Sequence, residues 1–287
     1  MTLTADDVFA LIQRGLGPEA RRHRGIDAPA RRDTAIAGGS YRAPGTLVDG
    51  IRAGDGDTPV TGIVVAARAS TAVLEQAAAR GANLVISRQA FLGDSQDRPV
   101  ARPEPALAAK LALIAARGLV VLRLQDPRTG PAGRAITAAL PAAMGLPAPL
   151  ATPDPAAGLV CHAAPTSLLA VVRRLKAALP TRSVRLVGDP AMAVRGIAFA
   201  TETSRPNALA PLLARPDVQL LVAGEVHETE TTAWVLDAIA LGLPKALLLA
   251  GSITLEEPPA RALAQWLARA VPVPVHYLPS PEGITAF

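Results

Sequence analysis

At 287 residues, half of them hydrophobic and 18% charged against roughly 25% in ordinary proteins, the chain reads as a soluble, Ala-rich globular protein that can bury a large core and divide into two domains. The net charge of +5 is local: seven Arg and three acids lie between Arg14 and Arg42, a sum of +4, so a uniformly basic nucleic-acid surface is excluded and nucleic acid is not expected as a partner. One cysteine (Cys161), no charged start with an apolar core behind it and no run of ~18 apolar residues lead us to expect no internal disulfide, no signal peptide, no membrane contact and a cytoplasmic location.

Thr4 to Leu16 is predicted as a helix, with Thr4 as its cap and Val8, Phe9, Leu11 and Ile12 on its apolar face. Gly17 to Pro44 is rich in Arg, Gly and Ala without periodicity and reads as a loop or basic arm. Gly54 to Pro59, GDGDTP, is a polar turn into the first strand. Gly62 to Phe91 then organises the chain as strand, helix, strand. An apolar run to Ala67 is followed by a helix capped by Ser70 or Thr71 and stopped at Gly81. A buried strand, Leu84 to Ile86, ends in the polar pair Arg88 and Gln89. Such a unit needs a parallel sheet, and in these sheets sites form beyond the carboxyl ends of the strands.

A helix at Pro105 to Arg117 and a strand at Leu119 to Leu124 complete the first half, and Gln125 and Asp126 open the loop that follows. Ala135 to Met144 is predicted as a short helix interrupted at Pro141, and the Pro-rich Pro147 to Pro155 as the domain boundary. Ser167 to Leu179 is an amphipathic helix, and Val184 to Val187 a strand. Gly196 to Glu225 repeats the first unit: an opening Gly-Ile, an apolar strand, a helix, then Asp217 in the place of Asn83 and a strand to Ala223. A helix at Thr229 to Leu241 and a strand at Ala246 to Ala250 follow, then a helix from Pro259 to Ala270 and a closing strand, Val273 to Leu278. The expected fold is α/β, two similar βαβαβ halves forming two interlocked α/β domains. Residues 1–44 form a helix and basic arm, 45–150 the first domain (completed by 258–287) and 151–257 the second.

Four strand ends would supply a site: Arg88 and Gln89; Gln125 and Asp126; Glu225, His227, Glu228 and Glu230; and Ser252, Glu256 and Glu257. So many carboxylates repel one another as water is excluded, which calls for a metal or an arginine among them. The stretches GDGDTPVTGI, ARGANLVIS, GLVVLRLQD, RLVGDP, LVAGEVHETET and GSITLEEP, in this order over residues 45–287, resemble the NIF-three-like family, also called GTP cyclohydrolase type-2-like. The resemblance implies a metal-dependent hydrolase, two divalent metals (Zn, Mn or Fe) and a homo-oligomer, trimer or hexamer.

Residue by residue it implies metal ligands at Glu256, Asp126 and Glu225 and catalytic roles for His227 and Glu228. But the family's imidazole positions are held here by Arg88 and Gln89, by Gln125 and by Ser252. Guanidinium donates hydrogen bonds and has no lone pair for a metal. The expectation is therefore a degenerate, metal-poor paralogue with no tightly bound metal, an oligomeric scaffold or a binder of anions such as nucleotides or other phosphate-containing small molecules. Arg88, Gln89, Gln125 and Ser252 are its ligand residues. Arg88 would fill the metal space and pair with Glu228 or Glu256, its planar fork matching a carboxylate.

Overall fold

A computed structural model describes residues 2–18, 34–36, 39–41, 49–92, 97, 104–125, 129–150, 158–179, 181–201 and 206–280. They divide into two compact units, one of Met1–Ile136 with Pro259–Ser280, the other containing Thr137–Pro258. The division falls earlier than the Pro-rich stretch. Leu140, Met144 and Leu146 pack into the second unit's core, so the segment before the prolines already belongs to it.

The first unit holds α1 (Ala5–Leu16), β1 (Thr34–Ile36), β2 (Gly39–Tyr41), β3 (Gly50–Ala53), β4 (Ile63–Ala66), α2 (Thr71–Ala79), β5 (Leu84–Ser87), α3 (Pro105–Ala116), β6 (Val120–Arg123) and β12 (Val275–Tyr277). Its sheet runs β1-β2-β3-β6-β5-β4-β12, with the four strands from β6 to β12 parallel. The strand pair β1 and β2 lies in the region read from sequence as a loop; the rest of that arm is outside the described residues. Alternation along the strands sends Ile63, Val65, Leu84, Ile86, Val120 and Leu122 to one face, under α1. Val64, Ala66, Val85 and Val121 go to the other face, under α2 and α3. Thr4 closes a reciprocal capping box with Asp7, and Ser70 Oγ accepts from Val73 N.

The second unit holds α5 (Ala139–Ala143), β7 (Leu159–Ser167), α6 (Leu168–Ala178), β8 (Arg185–Val187), β9 (Ala193–Ala200), α7 (Pro206–Leu213), β10 (Leu220–Ala223), a π-helical turn (Glu228–Thr232), α8 (Ala233–Ala240) and β11 (Ala246–Leu249). The sheet order is β7-β9-β10-β11-β8, with β9, β10 and β11 parallel. Before it, α4 (Pro131–Thr137) and α5 are separated at Ala138, not at Pro141. The break places Pro141 in the first turn of α5, where its missing N–H leaves no helical bond unmade. The last helix, α9 (Ser252–Ala270), begins seven residues before the expected Pro259. Leu255 and Ala260 are fully buried, and that packing outweighs the helix-breaking tendency of Pro258 and Pro259. No helix among the described residues is long and apolar enough to cross a membrane.

The duplication is exact in register at the strand starts. Ile63 pairs with Leu84 and that with Val120; Ile197 pairs with Leu220 and that with Ala246. Asn83 therefore corresponds to Gln219, two residues beyond the Asp217 expected from sequence. Both side-chain amides do the same work: Asn83 Oδ1 accepts from Thr61 N (2.9 Å), and Gln219 Oε1 accepts from Arg195 N (3.1 Å) and Gly196 N (2.8 Å). At Gly196 the crossover comes so close that a Cβ would lie 1.7 Å from Asp217 O. Gly196→Ala should therefore lower stability by at least about 1–3 kcal/mol. An unchanged urea midpoint would show that the backbone relaxes freely there.

Candidate functional site

In the first unit the ladder continues past the strands: Arg88 N donates to Ala66 O (3.2 Å), Gln89 N to Ala67 O (2.8 Å) and Leu124 N to Ser87 O (2.9 Å). This fixes Arg88 and Gln89 beyond β5 and Gln125 beyond β6. Arg88 is buried, with Nη1 donating to Leu124 O at 2.9 Å. Beside it Arg123, the last residue of β6, is 1% exposed. Its Nη1 donates to Asp97 Oδ2 at 3.0 Å and its Nη2 to Gln125 Oε1. Asp97 is fully buried with φ +51°, a conformation that Asp tolerates better than most residues. Its Oδ1 accepts from Phe91 N (2.9 Å) and Leu92 N (2.8 Å). Gln125 N donates to Asp49 Oδ1 at 2.6 Å.

Lys110 completes this buried layer. Its ammonium donates to Phe91 O at 2.7 Å and sits 5.1 Å from the Phe91 ring centre. Burial, reinforced by Arg68 and opposed by Asp97, lowers its pKa from 10.5 to about 8. Gln89 presents a different feature: its Nε2 is buried without a hydrogen-bond partner.

In the second unit Ala250 N donates to Ala223 O and Gly251 N to Gly224 O, so the same ladder places Gly224, Glu225 and Gly251 at the strand ends. By register these are the counterparts of Arg88, Gln89 and Gln125. A Cβ on Gly224 would lie 2.3 Å from Ser252 Oγ, so glycine lets the start of α9 approach. Glu225, His227 and Glu228 are exposed. His227 Nδ1 lies 3.3 Å from Glu230 Oε1, and Glu228 pairs with Arg185. Of the two carboxylates expected to meet Arg88, Glu228 is thus engaged within its own unit. Glu256 and Glu257, in the first turns of α9, are 1% and 2% exposed. Asp126 lies outside the described residues.

The structure therefore brings Arg88, Gln89 and Gln125 to adjoining strand ends in one unit, and Glu225, His227, Glu228 and Ser252 to the corresponding ends of the other. Among the described residues, which leave out Asp126, no three His, Cys, Asp or Glu side chains are grouped to hold a metal ion. Sequence reasoning missed Arg123, Asp97, Asp49 and Lys110. Arg123 had a signal, a lone charge inside the apolar run LVVLRL, and Lys110 another, the single charge in PALAAKLALIAA. Asp97 had none, because its role depends on a left-handed backbone and on two N–H groups five and six residues away.

Lys110 gives a pH prediction. Between about 8 and 10.5 the unfolded chain holds a proton that the folded chain has lost, so stability rises with pH across that window. The rise is at most about 3 kcal/mol. Chemical denaturation of Lys110→Met across the same window should show the rise removed; an unaltered slope would place its origin elsewhere.

No protein-family model and no curated protein matches this sequence. Solved structures do. The Staphylococcus aureus protein SA1388 superposes with a TM-score of 0.72 at 13% identity, over 99% of both chains. The Bacillus cereus protein related to NIF3 gives 0.66 at 11% identity, over 100% of this chain and 99% of that one. HcgD from Methanocaldococcus jannaschii gives 0.66 at 13%, over 97% and 98%. This chain has the fold of the NIF3-related proteins along essentially its whole length.

Proposed function

We propose that this chain is a metal-poor member of the NIF-three-like family that binds a small anion, of the phosphate-ester class that includes nucleotides, at the carboxyl ends of β5 and β6. One observation carries the reading: the amide donor of Gln89, buried and without an acceptor, next to the buried guanidinium of Arg88. A buried donor left unmet costs about 1–3 kcal/mol, and an anionic oxygen meets it. Arg88 adds a permanent positive charge at the same strand end, with Nη1 donating to Leu124 O. In the same unit the charge of Arg123 is balanced by Asp97, which also accepts from the backbone. The side chains that a hydrolase in this fold would use for two metals are guanidinium, amide and hydroxyl here, so no step through a metal is derived.

Purified without chelator, the protein should carry well under one metal per subunit by elemental analysis. Inorganic phosphate or a nucleotide should raise its melting temperature, the stabilisation reaching about 2.7 kcal/mol at a hundredfold excess over Kd. Arg88→Ala and Gln89→Ala should each abolish the shift. Stoichiometric metal, with Mn²⁺-dependent hydrolysis lost in Glu256→Ala, would establish the hydrolase instead.

A further inference from the structure

Gln125 and Gln89 hold matching places on neighbouring strands: each lies two residues past a member of the cross-strand pair Ser87 and Arg123. Gln125 is 8% exposed. A side-chain amide has an acceptor oxygen and a donor nitrogen, and its neighbours decide which way round it sits. Here the neighbour is Arg123 Nη2, which can only donate, so it takes Oε1 and leaves Nε2 to face elsewhere. Among the described residues Nε2 meets no acceptor, as is also true of Gln89 Nε2. The acceptors at these strand ends are engaged instead. Gln89 O accepts from Ser87 Oγ (2.7 Å), Ala90 O from Arg68 Nε (3.3 Å), Phe91 O from Lys110 Nζ (2.7 Å) and Leu124 O from Arg88 Nη1 (2.9 Å). Asp49 accepts from Gln125 N, and Asp97 from Phe91 N, Leu92 N and Arg123.

We infer that the anion site selects oxyanions that carry no proton, sulfate as readily as a phosphate dianion, with Gln125 Nε2 as its second amide donor. The inference rests on the anion-binding reading and narrows it. An unprotonated oxygen satisfies an amide donor directly. A protonated oxyanion brings an O–H that needs an acceptor, and leaving it unmet in a buried place costs roughly tenfold or more in affinity. Sulfate and a phosphate dianion have the same charge and the same tetrahedral shape. A site that offers donors and no open acceptor does not tell them apart.

Calorimetric titration of the full chain with sodium sulfate and with glycerol 3-phosphate, at pH 5 and pH 7 and constant ionic strength, tests it. The ester loses its second proton near pH 6, whereas sulfate keeps both charges throughout, so the ratio of the two Kd values cancels any titration of the protein. The two Kd values should be alike at pH 7, and at pH 5 the ester should be about tenfold weaker relative to sulfate. Gln125→Glu keeps an acceptor for Arg123 and puts a carboxylate oxygen where the donor was, so sulfate binding should weaken at least about tenfold. The wild-type ratio decides the matter by itself if that variant does not fold. Ester binding without sulfate binding, a Kd ratio that stays the same between pH 5 and pH 7, or an unaltered sulfate affinity in a folded Gln125→Glu would overturn the inference and leave the anion-binding reading standing. Binding of neither ligand would overturn both.

Discussion

The candidate site rests on one ion pair shut away from water, Arg123 with Asp97. Neither ion is affordable alone in an interior, where desolvation costs several kcal/mol per charge. Here Asp97 is met by two backbone N–H groups and the guanidinium, and Arg123 donates through Nη1 to the aspartate and through Nη2 to Gln125. Gln125 in turn is tied through its N–H to Asp49. The chain of contacts crosses the end of β6 and pins the segment after β5 to it. Arg88 and Gln89 follow directly after Ser87, the cross-strand partner of Arg123. A charged residue can end a strand otherwise made of Val and Leu because Asp97 and Gln125 accept from its guanidinium there.

The two units show how one backbone is given two chemistries. The starts of the parallel pairing are locked alike, Asn83 and Gln219 each accepting an N–H two residues before the first paired residue, Ile63 or Ile197. The strand ends differ at every matching position. Arg88 corresponds to Gly224, Gln89 to Glu225 and Gln125 to Gly251. In the first unit the ends carry long donors folded into a buried layer. In the second they carry glycines that admit α9, and carboxylates left in water. Function is carried by such end residues rather than by the sheet that holds them.

Much of this was legible. Apolar runs of strand length, Thr4 and Ser70 as caps, Gly81 as a stop and the repeated Gly-Ile opening gave the αβ architecture, because each depends on local chemistry. What failed was non-local. Pro258 and Pro259 argued for a helix start that burial of Leu255 overrode, and Pro141 drew the helix break to itself when its effect was to set the first turn of α5. Arg88, Gln89 and Gln125 were expected beyond strand ends, and the backbone ladder places them there. Asp97 was invisible, since nothing in SQDRP announces a left-handed aspartate. Glu228 or Glu256 was expected to pair with Arg88; Glu228 pairs with Arg185, from the edge strand of its own sheet.

On the proposed reading, guanidinium where imidazole is expected changes the sign of what would bind. Imidazole offers a lone pair and, when neutral, adds no charge, so two carboxylates beside it attract a cation. Arginine offers only donors and a permanent positive charge, so the same geometry now attracts an acceptor. Intermediate occupancy is poor in either direction: a divalent ion beside Arg88 meets Coulomb repulsion in a medium that screens it weakly, and an anion beside free carboxylates would meet the same. The first unit's carboxylates, Asp49 and Asp97, are instead consumed by backbone N–H groups and by Arg123. That arrangement removes negative charge from the strand ends without removing the residues, and leaves the Gln89 amide as the group whose unmet bond an anion would supply.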